Sequence, residues 1–330
     1  MQLVLNPIFT SHMVLQADAP IRVFGTGTGT VKVSFGGHTA CVSADGRWLT
    51  ELPAMPCGGP FDMEVTLEDR TILLQDILLG DVYLLAGQSN MQYKLEESTT
   101  EGVVYEDRSD IRFFCSERVE GKEYFHPEDG WVECSRKNAP HLSAVGYFVG
   151  NMLYEKQGRP LGFVSCYQGA AMIQSFMSEE AMKEAGAVHL ETLDPKTNPE
   201  LTYAWNRTSK IYHFTLEKLF PMRFKAVIWY QGESNANPED GKIYDRLLKA
   251  MIADWRKGFA QPELPFVIVQ IADYPRRMGE GWLAVQEAQR KAAEWENVAT
   301  VRSADISETD NIHPPTKSRL AERIIQVLMK

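Results

Sequence analysis

Four short stretches place reactive or polar side chains directly after apolar runs. The first is Asp81-Val-Tyr-Leu-Leu-Ala-Gly87-Gln88-Ser89-Asn90-Met91, where the run Val82–Ala86 ends in a glycine followed closely by a serine. A serine at a strand-to-helix turn stands at the carboxyl edge of a sheet, where the free N–H groups of the following helix favour negative charge. Attack of its hydroxyl on an ester carbonyl creates such a charge. Taken alone, Gly-Gln-Ser-Asn is equally well a polar turn. The second stretch is Asp310-Asn311-Ile312-His313-Pro314-Pro315. An aspartate three residues before a histidine can bond Nδ1–H and present Nε2 as a base for a serine hydroxyl. The alternative is a turn cap ahead of a Pro-Pro helix start. The third, Val227 to Ala236, reads Val-Ile-Trp-Tyr-Gln-Gly-Glu-Ser-Asn-Ala. Here Gln231 could donate a side-chain hydrogen bond to an oxyanion, a contribution of about 3–4 kcal/mol. The fourth, Leu161 to Ser178, carries Gly169, whose backbone N–H could be another donor, although glycines after strands are common. Together the four stretches supply the nucleophile, two donors, and acid with base that acyl transfer requires.

These residues need a scaffold, and the sequence changes grammar at about residue 76. Before it, short alternating segments such as Ile21–Phe24, Val31–Phe35 and Met63–Leu67 are punctuated by Gly25, Gly27, Gly29, Gly36-Gly37, Asp45-Gly46 and Gly58-Gly59-Pro60, the pattern of an antiparallel sandwich. After it, apolar runs at Val82–Ala86, Leu161–Ser165, Ala226–Tyr230, Phe266–Gln270 and Val298–Val301 alternate with helical patterns. Examples are Val145–Glu155 and Ile243–Trp255, the latter with Ile243, Leu247, Leu248, Met251, Ile252 and Trp255 on one face. Such alternation predicts a parallel sheet covered by helices on both faces. The polar stretch from Gln92 to Leu142 is expected to be surface loop beside the cleft.

With 330 residues, 44% of them apolar, the chain can bury a large core, and its net charge of −10 argues against nucleic acid or an anionic membrane as partner. A small-molecule substrate is the expectation. The five cysteines form an odd, scattered set without a CxxC pair, which suggests neither a disulfide framework nor a zinc knuckle; Cys166 is expected to be buried filler. No histidine pair has metal-ligand spacing. Met1–Gln16 lacks the basic and continuous apolar regions of a signal peptide, so a cytoplasmic location is expected. Asn206-Arg207-Thr208 matches a glycosylation sequon but carries little weight. His213 is a candidate for lining the cleft or packing in the core. Arg276 and Arg277 could meet a substrate carboxylate, although solvated surface charge explains them as well.

The Gly87–Met91 block, the Trp229–Ala236 block and the Asp310-x-x-His313-Pro314 ending resemble the sialate O-acetylesterase family of the SGNH (GDSL-like) hydrolases. Phe9-Thr-Ser-His-Met-Val-Leu-Gln16 and Gly46-Arg-Trp48 resemble that family's N-terminal β-sandwich. Gln286-Glu287-Ala288-Gln289 extends the resemblance over nearly the whole chain. It implies an SGNH-hydrolase (flavodoxin-like) three-layer α/β/α parallel sheet as catalytic domain over residues 76–330, with a small jelly-roll-like β-sandwich domain over residues 1–75. It further implies Ser89 as nucleophile, His313 as base, Asp310 as its orienting acid, and an oxyanion hole of Ser89 N–H, Gly169 N–H and Gln231. Gln88, Asn90 and Glu233 would support these groups, and neither a metal nor an organic cofactor is needed.

The implied activity is a serine-dependent carbohydrate O-acetylesterase working through an acetyl-Ser89 intermediate, with an acetylated sugar, sialate by the family's name, as substrate. Acetylxylan or other acetylated oligosaccharides remain alternatives. So do a catalytically inactive carbohydrate-binding protein and an acyltransferase, and self-association is left open. The chain departs from the family pattern at Gln168-Gly169-Ala170-Ala171 and Gln174, where Trp-Gly-Gly-Thr and a later Glu are usual, and at Tyr212-His213, where Tyr-Asn is usual.

Overall fold

The computed structural model describes residues 3–100, 103, 105–121 and 124–330. The N-terminal region is built from β1 (Val4–Leu5), β2 (Val14–Gln16), β3 (Ile21–Phe35), β4 (His38–Leu52) and β5 (Gly58–Leu67), all leading to the 18-residue β6 (Arg70–Gly87). β3 pairs antiparallel with β4 along its whole length and offers its other edge to β1 and β5. The expected turns at Gly25, Gly27, Gly29 and Asp45-Gly46 are therefore not turns; they lie inside two long strands. Close approach explains Gly25, because a Cβ there would stand 2.2 Å from the Val4 carbonyl oxygen and 3.1 Å from the Trp48 ring. Gly36-Gly37, both at positive φ, do form the expected two-residue hairpin turn between β3 and β4.

β6 connects this region to the site. Its first part pairs with β5, Leu78–Gly80 pair with β2, and Asp81–Gly87 run parallel between β9 (Leu161–Tyr167) and β10 (Ala226–Tyr230). Outside β9 lie β7 (Arg108–Phe114) and, antiparallel at the edge, β8 (Trp131–Cys134). Outside β10 lie β11 (Phe266–Val269) and β12 (Val298–Val301), both parallel. The result is a mixed α/β fold on a large sheet. Its apolar runs form the expected parallel strands, whereas the stretch from Gln92 to Leu142 is not all loop, since it contributes β7 and β8. Their buried Ile111, Phe113, Phe114 and Trp131 supply the apolar surface that draws them onto the sheet.

The helices are α1 (Ser89–Gln92), α2 (Ala144–Gln157), α3 (Glu179–Glu184), α4 (Pro238–Gly241), α5 (Tyr244–Gly258), α6 (Glu280–Lys291) and α7 (Ser318–Leu328). Alternation along β6 sends Tyr83 and Leu85 into one apolar layer with α2 and α7, and Val82, Leu84 and Ala86 into another with α5 and α6. A strand buried on both faces reads as a continuous apolar run, which is why β6, β9 and β10 were conspicuous in the sequence. Among the described residues no helix is long and apolar enough to cross a membrane.

Candidate active site

Ser89 follows β6 at the carboxyl edge of the sheet. Gly87 has φ +135°, and a Cβ there would meet the Tyr230 carbonyl oxygen at 2.1 Å, so only glycine lets β6 turn this closely against β10. Gln88 N–H then donates to Tyr230 O at 3.0 Å, and the Gln88 side-chain oxygen accepts from Gly232 N at 3.3 Å and Ser234 N at 3.2 Å. Gln88 thus binds the two strand-end loops together. α1, on which Ser89 stands, is a single turn of four residues and cannot supply the field of a long helix terminus.

The structure brings His313 to Ser89, with Nε2 2.8 Å from Oγ. Burial, followed by the nearby Lys317 cation, pushes the imidazole below its ordinary pKa, while Glu97 pulls the other way. An imidazole held low is neutral near pH 7, the state a general base requires. Behind the pair lies a buried polar relay. Lys317 Nζ donates to Asn90 Oδ1 at 2.6 Å, and Asn90 Nδ2 donates to Glu233 Oε1 at 2.5 Å and to the Ile312 carbonyl at 3.0 Å. Lys317 lies beneath the rings of Tyr93 and Tyr230, and burial pushes its ammonium down to about 7. Burial also raises the Glu233 carboxyl, against the pull of Asn90 and Lys317. Asn90 and Glu233 thus sit directly behind the pair, with Asn90 fixing the residue before His313.

Of the expected oxyanion donors, Gly169 lies beside Ser89: a Cβ built on it would stand 3.8 Å from Ser89 Cβ. Its N–H donates to Gln92 Oε1 at 2.9 Å. Gln231 is a correction. Its two Nε2 hydrogens go to Ala171 O at 3.0 Å and Asn235 Oδ1 at 2.8 Å, and its Oε1 accepts from the Tyr244 hydroxyl at 2.7 Å. A fully buried amide must satisfy all its groups internally, which leaves it nothing to donate to substrate. The chain of amides continues from Asn235 to Gln174 and on to Asp240. Gln174, a departure from the family pattern, fits because an amide can accept from Asn235 and donate to Asp240, which a carboxylate could not.

Asp310 is the second correction. Its carboxylate is exposed and makes no hydrogen bond or ion pair among the described residues, so the structure does not bring it to His313. The three-residue spacing is used by a local turn, in which Asn311 Oδ1 accepts from His313 N–H at 2.9 Å. His213 also lies away from the cleft, exposed and paired with Glu217 at 2.9 Å. Cys166 is buried in β9 with its thiol pushed up by burial. Asn206 is fully buried, donating to Ala170 O and Glu200 O and accepting from Met172 N, so its sequon is closed to modification in the folded chain.

Ser89 and His313 open into a cleft of about 590 Å³ that also reaches Gln92, Gln168, Tyr203, Trp205 and Arg277. Arg277 is held by Glu200 at 3.1 Å, and Arg276 is exposed. Sequence reasoning missed Gln92, Tyr203, Trp205 and Lys317. For Lys317 a signal existed, because positions 317, 320, 321, 324, 325 and 328 share one helical face and the rest are apolar.

The chain is similar to several known proteins. Residues 79–329 match the family model described as carbohydrate esterase, sialic acid-specific acetylesterase. The sialate O-acetylesterase of Rattus norvegicus is 28% identical over 324 residues, covering 80% of this chain and 59% of the relative. A probable carbohydrate esterase of Arabidopsis thaliana is 30% identical over 267 residues, covering 77% and 91%. The crystal structure of a carbohydrate acetylesterase from Xanthomonas citri matches with a TM-score of 0.84 at 27% identity, over 97% of this chain and 73% of that one. The chain thus spans less than two thirds of the length of the rat relative.

Proposed function

Because the chain belongs to the carbohydrate esterase family of sialic acid-specific acetylesterases, we propose that it is a serine-dependent carbohydrate O-acetylesterase. The observation that carries this reading is the 2.8 Å contact between Ser89 Oγ and His313 Nε2 at the mouth of a polar cleft. In the proposed reaction His313 takes the Ser89 proton as Oγ attacks the acetyl carbonyl. Ser89 N–H and Gly169 N–H receive the oxyanion once Gln92 Oε1 has withdrawn. Collapse breaks the bond to the sugar oxygen, which takes its proton from His313 and leaves acetyl-Ser89. Water, giving its proton to His313, then attacks the acetyl group and releases acetate and free Ser89. In this reading one carboxylate role differs from the family expectation: Glu233 supports the relay behind His313 as expected, but Asp310 takes no part in orienting the ring.

In this reading the sheet edge is that of an SGNH (flavodoxin-like) hydrolase domain over residues 76–330, and residues 1–75 form a jelly-roll-like β-sandwich that supports it through β6. Sialate esters are the first substrates to try, with acetylxylan fragments as the rival. The test is acetate release from p-nitrophenyl acetate and from a panel of acetylated sugars. Ser89→Ala should lower turnover by at least about 10⁴-fold with the fold intact, as loss of a nucleophile does elsewhere. Retained turnover in that variant, or failure of a fluorophosphonate to label the wild-type chain, would overturn the proposal.

A further inference from the structure

The cleft contains buried polar atoms that the protein itself does not satisfy. Gln168 is 2% exposed and its Nε2 donates to Glu120 O, yet its Oε1 has no partner among the described residues. Glu233 is 3% exposed, and while Oε1 accepts from Asn90, Oε2 has no partner. The indole Nε1 of Trp205 is likewise buried and unpartnered. All three residues line the cleft that holds Ser89 and His313. A buried polar group without a partner is costly, so three in one cleft mark positions where a ligand, rather than the fold, completes the bonding.

Part of the remaining wall is aromatic. Tyr203 stacks on Trp205 with ring centroids 4.8 Å apart and planes at 16°, and Tyr203 is 43% exposed, so one face of the pair is covered and the other stays open. This platform does not hang freely. Asn206 ties its loop to Ala170 O, beside the Gly169 donor, and the Ser175 hydroxyl donates to Trp205 O at 3.0 Å. Ala170 itself sits at φ +55°, a conformation that strains a non-glycine residue, and Asn206 helps to hold it there. The aromatic wall and the donor loop are therefore fixed to each other.

Flat C–H-rich faces and outward hydroxyls are the two features of a pyranose ring, and this cleft offers a complement to both. Building on the esterase reading above, we infer that the cleft between Ser89 and the Tyr203–Trp205 stack is a pyranose subsite. The ring face lies on Tyr203, and its hydroxyls meet Glu233 Oε2 and Gln168 Oε1. Trp205 Nε1 donates to a sugar oxygen, and the acetylated hydroxyl extends to Ser89. Sugar recognition thus rests on the segment from Gln168 to Trp205 and on Glu233, whose other oxygen anchors the relay behind the reacting pair.

Tyr203→Ala separates the subsite from the chemistry, because Tyr203 is exposed and touches neither Ser89 nor His313. Kinetics are measured on p-nitrophenyl acetate, which has no sugar ring, and on 9-O-acetyl-N-acetylneuraminic acid and 6-O-acetylglucose. The expected result is a KM for the preferred sugar ester raised by about tenfold or more with kcat kept, as for lost uniform binding, and a much smaller change, under about threefold, in KM for p-nitrophenyl acetate, which lacks the ring hydroxyls. Tyr203→Phe should behave as wild type, and Gln168→Met should also raise KM for the sugar ester by a larger factor than for p-nitrophenyl acetate. Which sugar responds tells an acidic ring from a neutral one. Equal effects on all esters, no effect of Tyr203→Ala, or a wild type that cleaves p-nitrophenyl acetate but neither sugar ester overturns the subsite and leaves the esterase reading standing. A wild type inactive on every ester overturns both.

Discussion

Ser89 and His313 come from regions held in different ways. On the serine side, Gln88 clamps the loops after β6 and β10, and the buried amides of Gln231, Asn235 and Gln174 satisfy one another. The segment bearing His313 has neither helix nor strand between β12 and α7. It is pinned at separate points: Asn90 on the Ile312 carbonyl, Asn311 on His313 N–H, the hydroxyl of Thr316 on Glu308, and Lys317 on Asn90. Saturation makes the first region precise and takes its polar groups out of the chemistry. Sparse pinning leaves the second dependent on a few charges for its protonation state.

If saturation is what removes Gln231 from the reaction, its loss should appear in stability rather than rate. Gln231→Met strips Ala171 O of its side-chain donor, Tyr244 OH of one of its two acceptors and Asn235 Oδ1 of one of its two donors, at about 1–3 kcal/mol for the buried carbonyl left unpaired. Denaturant unfolding should show a loss of about 1–3 kcal/mol, while kcat on p-nitrophenyl acetate falls by less than about tenfold in the folded protein. A fall of about 10²–10³ in kcat with stability kept is what an oxyanion donor would give, and it would restore Gln231 to that role.

On the histidine side the relevant probe is Lys317. Its cation pushes the His313 pKa down, so Lys317→Met should move the acid limb of the kcat/KM profile to higher pH. A limb that stays put would remove Lys317 from the tuning of the base, whatever happens to stability. Lys317 has its own signature in the wild type. Burial holds its pKa down at about 7 in the folded chain against 10.5 for an exposed lysine, so the unfolded chain binds more protons between those limits. Stability should therefore rise as pH climbs through that window, and the rise should be lost in Lys317→Met. Glu233 and Glu308 act on Lys317 in the opposite sense, so Glu308→Gln should lower its pKa further.

The same contrast governs what could be read from the sequence. Ser89 and the strands before it were legible because a doubly buried strand writes a continuous apolar run and its sharp exit requires Gly87. Gln231 was legible as a buried polar residue past a strand, but not as a brace, because its partners Ala171, Asn235 and Tyr244 come from three separate elements. The long N-terminal strands were hidden by glycines that serve close approach to Val4 and Trp48 instead of turning. Tyr203 and Trp205 sit in a polar loop with no periodicity, where no pattern distinguishes a platform from solvent-facing rings.

Asp310 should give the smallest effect and the sharpest test of how the His313 segment works. A bonded triad acid fixes the imidazole tautomer, and its conversion to an amide costs about 10⁴ in kcat. In this chain the Asp310 carboxylate is exposed and unbonded, while Glu97 is the carboxylate that raises the imidazole. Water and salt screen an exposed charge, so Asp310→Asn should change kcat on p-nitrophenyl acetate by less than about threefold. Glu97→Gln should instead shift the acid limb of kcat/KM to lower pH, because it removes a group that favours the protonated ring. If Asp310→Asn costs a thousandfold and Glu97→Gln moves nothing, the segment closes onto Asp310 during turnover. His313 would then be oriented by a carboxylate after all, and not by the backbone turn at Asn311 and the relay through Asn90.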